Sequence, residues 1–164
     1  MSMKHGIPIK RKNEEGVGMI DILISVAIIT IAFWGFSQVA LLGVKVQGEA
    51  EQREGAVYLA QEAIEVARLL RDSSWSSNIA PLSIGVPYFP VVSGTEWTLS
   101  GTNPGLLNNL HTRTVTFERV YRDVNDNIAG SGTEDTNSRK IVISLTWSDK
   151  KYEIVTYLTN LLFN

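Results

Sequence analysis

Hydrophobic and polar positions follow three patterns in turn along this chain. From Ile22 to Val44 there is no Asp, Glu, Lys, Arg or His. Apolar residues would cover every side of a helix drawn through that run, as in a helix surrounded by lipid or by other helices. About 20 mainly apolar residues are enough to cross a hydrocarbon core, so the run is long enough. In "GEAEQREGAVYLAQEAIEVARLLRD" the pattern becomes amphipathic. Ala56, Leu59, Ala63, Ile64, Ala67 and Leu70 recur at three- and four-residue spacing, while Glu51, Arg53, Glu62, Glu65 and Arg68 occupy the other faces. No proline interrupts Val17 to Asp72, which predicts one helix on the order of 80 Å long at 1.5 Å per residue. Gly35, Gly43, Gly48 and Gly55 are its weak points, each costing about 1 kcal/mol relative to alanine.

The third pattern has period two. "TRTVTFERVY" places Val115, Phe117 and Tyr121 on one side, and "KIVISLTW" places Ile141, Ile143, Leu145 and Trp147 on one side. "YEIVTYLTNLLF" follows a short polar turn, Ser148 to Lys151, so the last two runs predict a β-hairpin. "VPYFPVV" and "EWTLSG" are further strand candidates, with Pro87 and Pro90 suited to edges or strand ends. "SSWSSNIAPLSIGVP" reads as a loop. The expected fold is α+β: a long N-terminal helix, half transmembrane and half amphipathic, packed on a small antiparallel sheet of about three to five strands. The expected divisions are a leader over 1–16, an apolar helix over 17–44 and an exported domain over 45–164. Within that domain we expect an amphipathic helix over 45–72, a loop over 73–85 and the sheet over 86–164. There is no internal repeat.

Over its 164 residues the chain is 44% hydrophobic and 20% charged, an average that fits an ordinary globular domain and hides the N-terminal concentration. Its net charge of −2 does not point to nucleic acid as a partner. Lys4, Lys10, Arg11 and Lys12 precede the apolar run, and a basic flank tends to stay cytoplasmic. The C-terminal part is then expected outside. Cysteine is absent, which excludes disulfides, thiolate zinc sites and cysteine nucleophiles.

The junction "KRKNEEGVGMIDILISV" is the most specific feature, because a carboxylate, Asp21, stands just inside the apolar run. A cleaved secretory signal would have an apolar core of about 7 to 15 residues and a small-x-small cleavage site. Here the core is longer and no Ala-x-Ala follows. A plain signal anchor explains the length and the basic flank but not Asp21 or "EEG". A third reading comes from likeness: the junction resembles that of type IV prepilins and pseudopilins. In that family a basic leader ends in glycine, and a membrane peptidase cuts after it and usually methylates the new N-terminus. The fifth mature residue is normally glutamate. Gly16 matches the end of the leader, Val17 the processed and methylated N-terminus, and Asp21 the assembly acid, with Ile20 and Ile22 as its apolar flanks. Val17, Gly18, Met19 and the shorter Asp21 side chain depart from the usual residues. These departures bear on subunit docking rather than on cleavage, since Gly16 is intact.

"YLAQEAIEVARLLRDSSW" resembles the matching helix segment of PilV-like minor pilins and some secretion pseudopilins, and "RKIVISLTWSDKKYEIVTYLTN" resembles their final hairpin. The resemblance implies a minor structural subunit. Its partners would be the prepilin peptidase, an assembly platform, other pilins and the membrane, with no nucleic acid. It would reside in the cytoplasmic membrane and then in a filament. The family assigns the acid to the N-terminal amine of a neighbouring subunit. A carboxylate costs about 2.5–3.5 kcal/mol at the bilayer centre and less near the interface, and an opposite charge offsets that cost. The glycines serve either local bending or close helix approach. Two rival functions stand beside this one: a membrane-tethered binding module that never polymerises, and an exported tip adhesin.

Other chemistry is sparse. Asp123, Asn125, Asn127 and Glu134 partly imitate a calcium loop, with Ile128 where that loop needs glycine. A polar strand connection is the plainer reading, although some pseudopilins bind calcium in this domain. His5 and His111 are isolated. There is no phosphate-binding loop and no nucleophile motif. Glu62 and Glu65 read as an exposed face, and Trp75, Trp97 and Trp147 as packing residues. No enzyme activity and no cofactor is expected.

Overall fold

The computed structural model describes residues 15–162, with side chains from residue 18. Residues 1–14 of the expected leader, with Lys4, His5, Lys10, Arg11 and Lys12, lie outside the described residues. The chain divides into two compact units that meet between Glu49 and Ala50, and each is taken by itself.

Helix α1 runs from Glu15 to Ser73 without interruption, consistent with its lack of proline. In the first unit none of its described side chains is buried. It is the one helix among the described residues long and apolar enough to cross a membrane.

The second unit is α+β. Its part of α1 buries Ala56, Leu59, Ala60, Ala63, Val66, Ala67 and Leu70. Ile64 is only half-buried, and Ala60 and Val66 complete the face that the spacing predicted. The four alanines make a flat face, so the sheet supplies the volume. Val115, Phe117, Ile141, Ile143, Leu145, Trp147 and Leu158 form one cluster with that face. Burying a large aliphatic or aromatic side chain contributes about 1.5–3 kcal/mol.

The sheet has six strands rather than about three to five, all antiparallel. They are β1 (Pro87–Ser93), β2 (Glu96–Ser100), β3 (Thr112–Arg122), β4 (Ile128–Ala129), β5 (Thr133–Trp147) and β6 (Lys150–Thr159). Their order is β2-β1-β3-β5-β6, with β4 beside β3. Pro90 is tolerated because β1 pairs with β3 only through Pro87 and Tyr88, whereas residues 89–93 pair with β2 alone. The missing N–H of Pro90 therefore breaks no ladder on the β3 side.

Three expectations are corrected. The segment 73–85 holds a short helix, α2 (Trp75–Asn78), capped by Ser74, whose side chain accepts from the Ser77 N–H. Tyr121 does not continue the Val115–Phe117 face. A bulge lies between Arg119 and Tyr121, with residues 135–138 of β5 opposite Val120. The pleat shifts by one, and Val120 is buried instead. The final turn is only Ser148–Asp149, since Trp147 pairs with Lys150, and Ser148 takes φ 50° to close it.

Candidate assembly helix

The apolar half of α1 is helical because no proline breaks it and its hydroxyls find partners inside it. Ser25 Oγ donates to the Asp21 carbonyl (2.7 Å), Thr30 Oγ1 to the Val26 carbonyl (2.7 Å) and Ser37 Oγ to the Phe33 carbonyl (2.8 Å). These bonds to the residue four back hide the hydroxyls from an apolar surround. Every large apolar side chain from Met19 to Val46 is exposed, Phe33 and Phe36 by more than seven-tenths. A continuous apolar surface of this size marks a contact with membrane or protein.

Asp21 stands on this surface, exposed. Among the described residues no hydrogen bond or ion pair engages its carboxylate. Gly16 and Val17 lie in the first turn of α1, and the Val17 side chain is outside the described residues. Val17 is four residues before Asp21, one helical turn away. A Cβ placed at Gly18, Gly35, Gly43 or Gly48 would meet nothing within 4 Å. No described neighbour in this chain requires those positions to be small.

The calcium-like residues are arranged as a turn. Asp123 Oδ1 accepts from the backbone N–H of Asn125 (2.8 Å) and Asn127 (2.9 Å). Those two bonds hold its carboxyl below the usual range. Glu134 lies 3.5 Å from Arg119 on the neighbouring strand. Arg122 donates to Asp135 at 2.7 Å. Burial pushes Asp135 up, but hydrogen bonds from Arg122, Ser138 and Asn137 outweigh it and leave the carboxyl lowered. Among the described residues no group of three or more His, Asp or Glu side chains could hold a metal ion.

The most consequential polar residue of the second unit is Arg113, which the reading of the sequence missed. It is 3% exposed and pairs with Glu62 at 2.6 Å. It also donates to the Leu59 carbonyl (3.1 Å) and the Pro90 carbonyl (3.4 Å). One guanidinium thus ties α1, β1 and β3 together, and Glu62 serves this clamp while Glu65 pairs with Arg68. His111 is a second buried polar contact. Its Nε2 lies 3.0 Å from the Gln52 carbonyl and its ring 5.3 Å from that of Trp147. The alternation that exposed Val115 and Phe117 as core also runs back through Arg113 and His111, and that phase was the available signal. Comparison with protein-family models, with curated proteins and with solved structures returned no match.

Proposed function

We propose that this chain is a type IV pilin-like structural subunit, of the minor kind, acting in a pilus or a secretion-like pseudopilus. The observation that carries the reading is the first unit of α1: an exposed helix with no charged residue from Ile22 to Val44, and with the carboxylate of Asp21 just before that run, one turn after the Gly16–Val17 bond. Prepilin peptidase cuts after Gly16, and Val17 becomes the N-terminus. The precursor is held in the cytoplasmic membrane with its sheet domain outside. In the filament the same apolar surface packs against other pilins. There Asp21 faces the amine of a neighbour, since in a dry helix bundle a lone carboxylate is costly and a pair is favoured over any register that leaves both charges alone. The open surroundings of Gly35, Gly43 and Gly48 support close approach by helices of other subunits.

The test is the intact mass and N-terminal sequence of membrane-extracted protein made with and without a prepilin peptidase. A peptidase-dependent start at Val17, with or without a methyl group, is the expected result. An intact leader in both samples defeats the reading and leaves a tethered module, for which an apolar helix suffices.

A further inference from the structure

Where the last turns of α1 meet the β1–β2 hairpin, the second unit carries a groove of about 550 Å³, within the range of small-molecule sites, about 300–1,000 Å³. We propose that this groove binds a neutral oligosaccharide. Trp97 is half-buried, packs on the core with part of its indole and lines the groove. The part of the indole that lines the groove offers an apolar aromatic surface to the C–H face of a sugar ring, which is apolar while its rim is all hydroxyl.

The rest of the lining matches that rim. Both N–H groups of the Asn78 amide are taken, by the Leu70 carbonyl (3.1 Å) and by Ser73 Oγ (2.8 Å), which leaves its oxygen as the acceptor for a ligand. The Glu96 carboxylate and the Thr98 hydroxyl, both exposed, have no partner among the described residues. The groove is thus rich in acceptors for ligand hydroxyls. It contains no Lys, Arg or His, so it holds no cation to pair with a sulfate, a phosphate or the carboxylate of sialic acid, and Glu96 repels such groups. A single ring on an open trough is also not the enclosure of several rings that retains an ammonium ion.

The frame is regular, which favours a preformed site. Ser93 pairs with Glu96 across a two-residue turn in which Gly94 takes φ +67°, a conformation open to glycine. Glu96 and Trp97, which follow this turn, line the groove together with Leu69, Leu70 and Ser73 of α1. The inference goes beyond the filament reading and holds equally for a chain that never polymerises.

The full chain, extracted in a zwitterionic detergent without a sugar headgroup, is applied to an immobilised panel of neutral oligosaccharides, their sialylated counterparts and a lysine-rich peptide. The expected result is saturable binding to neutral members, weaker with sialic acid present and reduced about tenfold by Trp97→Ala, the usual size of a lost stacking contact. Because Trp97 also packs on the core, Thr98→Arg is the second variant; it fills the groove from an exposed position and should abolish binding with the melting temperature unchanged. No saturable binding to any neutral saccharide overturns the proposal, as does binding that survives both variants. Capture of the lysine-rich peptide alone would instead make the groove a cation site.

Discussion

The two halves of α1 are made of similar residues and have opposite fates. Ile28, Ile31 and Phe33 are exposed, while Leu59, Val66 and Leu70 are buried. The difference is not hydrophobicity, since the exposed half is the more apolar. It is that residues 56–70 keep one polar face and meet a sheet supplied by the same chain, whereas residues 22–44 carry apolar side chains on every face and meet no such partner among the described residues. A helix apolar on one side can be satisfied by one domain, and a helix apolar on all sides needs a surround.

Substitutions that break this contrast should follow the burial. Phe117 is fully buried, so Phe117→Ala should cost about 3–5 kcal/mol, read by denaturant unfolding of the second unit followed through its sheet signal. Arg113→Ala should come next, at about 3 kcal/mol, because it leaves Glu62 and two carbonyls without their donor. A double-mutant cycle with Glu62→Gln should show clear coupling, and additivity there would reduce the clamp to packing.

Acid should have a smaller effect, through the β3–β5 end. Asp123 and Asp135 both sit below their ordinary value of 3.8 in the folded protein. Their contribution is therefore whole at neutral pH, begins to fall near the unfolded value of about 3.9, and is lost as pH drops through the lower folded values. Melting curves between neutrality and pH 3 should steepen in that window, and Asp135→Asn should flatten them. The smallest effect is expected in the apolar half. Phe33→Ala should move the unfolding of the second unit by less than about 0.5 kcal/mol, despite deleting the same side chain as Phe117→Ala. Equal losses at the two positions would erase the distinction between the halves.

Much of this was legible in the sequence, and the parts that were not have physical reasons. Period-two alternation identified Ile141, Ile143, Leu145 and Trp147, all of which are buried. It failed at Tyr121, because a bulge changes which residues share a face without leaving a mark on composition. The start of β5, "TEDTNSR", is polar throughout, and its strand form comes from pairing with the end of β3 and with β6 rather than from propensity. Strand β4 is two residues long and has no pattern to show. Arg113 was hidden for another reason. A charged residue in core phase reads as an exception until its partner, Glu62, comes from a distant helix. At the candidate assembly site the residue types and their spacing were readable from the start, but the exposure of the whole apolar half needed coordinates.

The order of strands also has a consequence for how the protein is made. The flat alanine face of α1 leaves the ribosome early, yet its covering includes Ile141, Ile143 and Leu145 on β5, together with Leu158 on β6 near the far end of the sequence. Between them lies nearly the whole sheet, so few of the core contacts can form while the chain is still growing. Non-local pairing of this kind is slow and leaves apolar surface open to misassembly in the meantime. The nascent chain would thus spend most of its synthesis with a sticky helix and no sheet, and holdase chaperones would have their strongest claim on it during that interval.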